Sequence, residues 1–248
     1  MKICKTIAAM ITILLFTGCP QVSAQLRLDV ETGVVFSGYN DVQIPNNSGT
    51  KISLSDELET DPAFFWRVRL IYSLAERHDI AFLVAPLRLE GKGIINRRVD
   101  FNEEQFPQGV LLKSKYRFDS YRITYRYGVY RSKKLQMALG LSAKIRDASI
   151  SLKGDNKEAE KKNTGFVPLV NFRVEWMFAK RFTLILDGDA LAGPQGRAED
   201  ILLGAAYDLH ENLQVKLGYR MLEGGADVDE VCNFALLNYM VLGGTLRF

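Results

Sequence analysis

The stretch "FFWRVRLIYSL", residues 64–74, decides how this chain folds. Phe64, Trp66, Val68, Leu70, Tyr72 and Leu74 share one face, while Arg67, Arg69 and Ser73 take the other. A period of two belongs to an extended strand whose faces meet different surroundings. The pattern returns in "YRITYRYGV", residues 121–129, where Tyr121, Ile123, Tyr125, Tyr127 and Val129 alternate with Arg122, Thr124, Arg126 and Gly128. In "NLQVKLGYRM", residues 212–221, Leu213, Val215, Leu217, Tyr219 and Met221 stand against Gln214, Lys216, Gly218 and Arg220. Segments of about ten residues, apolar on one side and charged or small on the other, are what a membrane-crossing β-strand requires.

Alternation alone does not fix which face is buried. In a soluble sandwich the apolar faces form the core and the polar faces meet water. In a barrel set in lipid the apolar faces look outward and the charged faces line the interior. The bulky rings favour the second arrangement. Phe36, Phe64, Trp66, Phe166 and Phe234 fall at one level, and Tyr72, Trp176, Phe178, Phe182, Tyr207 and Phe248 at another. Two aromatic levels suit the two headgroup interfaces of a bilayer. The expected fold class is all-β, a closed antiparallel transmembrane barrel.

Ten segments carry the pattern, near 26–37, 63–74, 79–90, 110–129, 135–151, 165–178, 182–191, 199–208, 212–222 and 233–248. Between them, "AERH", "RSKK", "AKR" and "HEN" make tight charged turns. The other connections, at about 38–62, 91–109, 152–164, 192–198 and 223–232, are longer. Short periplasmic turns and longer outer loops are the habit of outer-membrane barrels, and an even count returns both termini to the periplasm. Pro86 and Pro168 interrupt two segments, so each is expected beside a rim or bulge. Merging or splitting one hairpin gives eight or twelve strands.

Composition sets the remaining bounds. "MKICKTIAAMITILLFTGCPQVSAQ" has Lys2 and Lys5, an apolar run from Ile7 to Phe16, then "VSA" before Gln25. It reads as a cleaved signal over residues 1–24, leaving a barrel domain over 25–248. The run falls short of the ~20 residues a spanning helix needs. "LLFTGC" also admits acylation at Cys19. Without the signal, Cys232 stands alone and can build neither an internal disulfide nor a thiolate metal cage. A net charge of +3 offers no basic field for nucleic acid. A secreted chain without helical spans crosses a membrane only as a closed barrel.

The chain closes on "YMVLGGTLRF", residues 239–248. Gly243, Leu246 and terminal Phe248 resemble the assembly signal of bacterial outer-membrane β-barrel proteins, an alternating last strand with an internal glycine and a final aromatic. The resemblance implies that the barrel-assembly machinery reads this strand and that Phe248 faces lipid. At the level of architecture the chain looks like the small monomeric barrels, OmpA-type or omptin-like; no subfamily is identified.

The strand phase turns Arg67, Arg69, Arg122, Arg126, Lys144, Arg173, Lys216, Arg220 and Arg247 toward the lumen. Asp29, Glu31, Glu175, Asp187, Asp189 and Asp208 join them. Buried charges persist when paired and hydrogen-bonded, and a barrel near eight strands has an interior that side chains fill. A closed charge network is therefore expected.

"LDGDALAGPQGRAED", residues 186–200, suggests chemistry, because Asp187 and Asp189 share a face and Glu199 and Asp200 open the next strand. Paired carboxylates activate water or bind a divalent cation. Omptin proteases combine an aspartate pair with a histidine–aspartate pair; only the carboxylate half is matched here. His78 and His210 are the only histidines, and both fall in short turns. The lipid A deacylase pattern lacks its His-x-Ser, and the amphipathic helix of palmitoyl-transfer barrels has no counterpart after Gln25. Asp187, Asp189 and Glu199 stay weak catalytic candidates, and no metal or cofactor is expected.

The function expected is that of a structural or ligand-binding barrel with a closed lumen and five surface loops. The alternatives are a narrow solute channel and an outer-rim enzyme acting on lipid or peptide. Expected partners are outer-membrane lipid, lipopolysaccharide (through lysines of "KGDNKEAEKKN", residues 153–163) and the assembly machinery. No nucleic-acid partner is expected, and the barrel is read as a monomer. "YNDVQIPNNSGTKISLSDELETDP", residues 39–62, is the leading loop for partner contact.

Overall fold

The computed structural model describes residues 25–194 and 196–248. The signal segment and Cys19 lie outside the described residues. The strands are β1 (Gln25–Gln43), β2 (Ile52–Ser53), β3 (Ala63–Ala75), β4 (His78–Ala85), β5 (Arg88–Ile94), β6 (Val99–Phe101) and β7 (Glu104–Phe106). They continue as β8 (Leu111–Arg131), β9 (Leu135–Gly154), β10 (Lys157–Ala179), β11 (Phe182–Gly193), β12 (Gly196–His210), β13 (Leu213–Val228) and β14 (Val231–Arg247). Wall strands pair antiparallel with their neighbours, and β14 returns to β1 from Arg27↔Arg247 to Gln43↔Cys232. β4 and β5 both pair with β8 and act as one interrupted strand, so the ring has ten. Closure satisfies backbone groups that an open edge would leave to lipid.

Each proline sits where the ladder gives way. Pro86 lies in the break between β4 and β5. Pro168 pairs with Ala143 of β9, but on its other side the ladder to β11 begins only at Val170↔Ala190. Proline, which has no N–H to donate, is tolerated beside such breaks in a ladder.

The wall is much taller than a bilayer. β8 has 21 residues, about 70 Å at ~3.3 Å per residue, whereas a tilted span needs ~9–11 residues. Its polarity changes along its length. From Tyr121 to Tyr127 the exposed positions are Tyr121, Ile123, Tyr125 and Tyr127, and the buried ones Arg122, Thr124 and Arg126. From Leu111 to Phe118 the same outer face carries Lys113, Lys115 and Arg117, and the inner face Leu112, Tyr116 and Phe118. The register to β9 is unbroken across this point. The strand keeps its phase while its surroundings change, which places the upper membrane boundary near Asp119 and Ser120.

That height corrects the expected loops. Most of 152–164 is strand, as β9 and β10 pair up to Gly154↔Lys157. β11 meets β12 up to Gly193↔Gly196, and β13 meets β14 up to Val228↔Val231. Above the membrane the outer face meets water, so "KGDNKEAEKKN" is a solvated strand face, with Lys153 and Glu158 paired across the hairpin at 3.4 Å. Of the five expected loops, only the connections around 44–62 and 95–110 stay largely irregular, and they fold into the barrel mouth opposite the short turns. There Ile44, Leu54, Leu58, Val99, Phe101 and Phe106 pack onto lumen-facing Leu89, Leu112, Tyr116, Ile150 and Leu152.

Candidate functional site

Below that apolar cap the lumen is ionic. Asp189 of β11 and Asp200 of β12 stand directly opposite each other in register, both almost fully buried. Facing like charges repel, and Arg122 lies across them. Its Nη1 donates to Asp189 at 2.7 Å and its Nη2 to Asp200 at 2.5 Å. Asp200 also accepts from Arg67 at 2.9 Å and Arg220 at 2.5 Å. The other oxygen of Asp189 accepts from Ser142 at 2.5 Å and Asn171 at 2.8 Å.

The network runs on in both directions. Arg220 connects Asp200 to Glu31, where its Nη2 lies 3.0 Å from each carboxylate oxygen. Lys216 joins Glu31 at 2.9 Å to Asp29 at 2.8 Å, and Thr245 donates to Asp29 at 2.7 Å. Toward the short turns, Asp187 accepts from Arg69 at 2.9 Å, Arg126 at 3.3 Å and Arg173. Arg173 also donates to Glu175 at 2.5 Å, and Arg126 to Asn171 at 2.7 Å. Arg247 reaches Asp208 at 3.1 Å. Removing charges from water is costly unless the geometry satisfies them on several sides; these carboxylates each hold two or more donors, except the peripheral Glu175, which Arg173 alone supplies.

The structure thus brings Arg67, Arg69, Arg122, Arg126, Arg173, Glu175, Asp187, Asp189, Lys216 and Arg220 into one interior. Glu199 does not join them; it lies on the other side of β12 from Asp200, in register with Glu223. Lys144 faces inward without a carboxylate within 4 Å among the described residues. Its Nζ sits 4.8 Å over the Phe118 ring, at the seam between the ionic layer and the cap. Asp200 is the carboxylate the lumen inventory from sequence omitted, although it shares strand parity with Asp208. Asn171 and Ser142 were missed as well, since neutral residues in an alternating strand give no charge signal.

Asp187 and Asp189 are poorly placed to act as bases, because their lone pairs already accept from three donors each. His78 and His210 flank short turns, and His78 is bound to Tyr125 at 2.8 Å. Phe248 and Leu246 are exposed on the outer face, and the Phe248 N–H donates to the Leu26 carbonyl at 2.8 Å. Gly243 faces the lumen side, where a Cβ would stand 2.5 Å from the Lys216 Cε. Its smallness leaves room for that lysine stem.

An apolar outer belt, an ionic interior and a closed ten-stranded ring define the fold of outer-membrane β-barrel proteins. No protein-family model and no curated protein matches the chain. Among solved structures it is similar to the outer membrane protease OmpT from Escherichia coli, with a TM-score of 0.62, 8% identity, and coverage of 94% of this chain and 99% of that one. It also matches the transport unit of the autotransporter AIDA-I from Escherichia coli, with a TM-score of 0.45, 8% identity, and coverage of 97% and 96%. Ail of Yersinia pestis, in complex with a heparin analogue, gives a TM-score of 0.39 at 11% identity, over 90% and 99%.

Proposed function

We propose that this chain is a non-enzymatic outer-membrane barrel, structural or ligand-binding, whose lumen is closed to solutes. The observation that carries the reading is closure in two layers: ion pairs fill the membrane-level interior, and the apolar cap fills the outer mouth. Either layer alone opposes a water-filled path. The similarity to a protease extends to the fold, and the saturation of Asp187 and Asp189 weighs against a rim enzyme built on them.

Single-channel recording on refolded protein in a planar bilayer tests the closed lumen. No steady conductance is expected, and a stable ohmic conductance overturns the reading in favour of a narrow channel. Orientation with the short turns in the periplasm, and recognition of Gly243, Leu246 and Phe248 by the assembly machinery, belong to the same proposal. Deleting Phe248 is expected to lower the amount of folded barrel in cells while sparing refolding in detergent. Equal loss in both settings would make the residue structural.

A further inference from the structure

The lumen is sealed by the cap at one end but hollow at the other. A cavity of about 90 Å³ opens among the short turns, room for roughly six water-sized positions. Five arginines line it: Arg27, Arg77, Arg126, Arg131 and Arg173. The carboxylates on its wall are Glu76, Asp79 and Glu175, an excess of two positive charges. Asp187, deeper in, does not cancel that excess, because Arg69 also engages it at 2.9 Å.

The pairing inside the cavity leaves specific donors over. Arg27 is held by Asp79 at 2.7 Å, and its Nε has no partner. Arg77 and Arg131 have no carboxylate within 4 Å among the described residues; their guanidiniums reach only the carbonyls of Gly128 and Glu76. Arg126 and Arg173 form a fixed floor, anchored by Asn171 at 2.7 Å and Glu175 at 2.5 Å. Planar forks converging from several strands suit a multi-oxygen anion. A phosphate group, carrying up to about two negative charges near neutral pH, matches the excess.

We propose that the short-turn mouth of the barrel is a binding site for a phosphate group, with Arg77 and Arg131 closing over it. The group can arrive as free phosphate or as the headgroup of a phospholipid in the adjoining leaflet. The site is independent of whether the lumen conducts.

Isothermal titration of the refolded chain in a phosphate-free amine-oxide detergent with inorganic phosphate, at constant ionic strength, tests it. One saturable site is expected. Arg77→Gln with Arg131→Gln should weaken it at least tenfold, while Lys92→Gln with Lys113→Gln at the far end leaves it unchanged. Both pairs are exposed, and heat-modifiable gel migration checks that each variant folds. Absence of saturable heat, or equal affinity in the turn variant, overturns the site. Repeating the titration in nanodiscs containing phosphatidylglycerol separates the sources. Loss of phosphate affinity there assigns the site to a lipid headgroup, and unchanged affinity assigns it to the free anion.

Discussion

Replacing Arg122 by Ala removes the one guanidinium that spans the facing carboxylates. The two losses are unequal. Asp200 keeps Arg67 at 2.9 Å and Arg220 at 2.5 Å. Asp189 keeps only the neutral donors Ser142 and Asn171, so it becomes a buried anion with no cation within 4 Å among the described residues. Breaking a buried pair on one side typically costs ~3–5 kcal/mol, and the cost should concentrate at Asp189. Asp189→Asn in the Arg122→Ala background is therefore expected to recover ~0.5–3 kcal/mol, the coupling usual for contacting residues. Urea unfolding in lipid vesicles measures both, followed by the fluorescence of Trp66 and Trp176, which are each 50% exposed on the outer belt. A loss for Arg122→Ala below ~1 kcal/mol, the scale of a solvated ion pair, would refute the argument. So would a double variant no more stable than the single one. Either result means water reaches the lumen and screens its charges.

Three further outcomes follow from named contacts. Lys144→Met should be neutral or stabilising by ~1 kcal/mol in the same titration, because it removes a buried cation lacking a carboxylate and keeps a contact to the Phe118 ring. In the cap, Arg97 hydrogen-bonds Glu57 and holds its carboxyl below its ordinary 4.5. That pair's contribution is complete above 4.5 and is lost as pH falls through the lower folded-state value. The excess stability of wild type over Glu57→Gln, at most ~1 kcal/mol for a partly exposed pair, should vanish on strong acidification; an excess that persists would deny the pair. Leu217→Lys and Leu111→Lys, both on the outer face, should separate by level: ~2–4 kcal/mol lost at membrane-level Leu217 and almost nothing at Leu111 above it, by vesicle refolding.

The ten wall strands were legible because lipid reads one face of each strand and the lumen the other, so period-two patterns such as "FFWRVRL" are unambiguous. The strand limits near 63–74 and 182–191 differ from β3 and β11 by at most two residues. The outer half was harder to read. At residues 153–163 a run of charges signals contact with water, which both a loop and a strand outside the bilayer provide. The folded cap left no period either, since Leu54, Leu58 and Phe106 are fixed by contacts distant in sequence. Asp200 was visible by parity, but which of several arginines it meets depends on how the ring closes.

The reversal of polarity along β8 carries the physical case for a membrane further than the belt alone. An exposed apolar face on a β-sheet can also mark a protein interface. Such an interface need not alter the interior behind it. Here both faces change together between Phe118 and Tyr121: the outer face passes from Arg117 to Tyr121, and the inner face from Phe118 to Arg122. Above that level the wall follows the rule of a soluble protein, apolar within and charged without. Below it the rule is inverted, which is affordable only where the outside medium takes apolar side chains and the inside supplies ionic partners. One boundary explains both changes, and a hydrocarbon–water interface is the medium that has one.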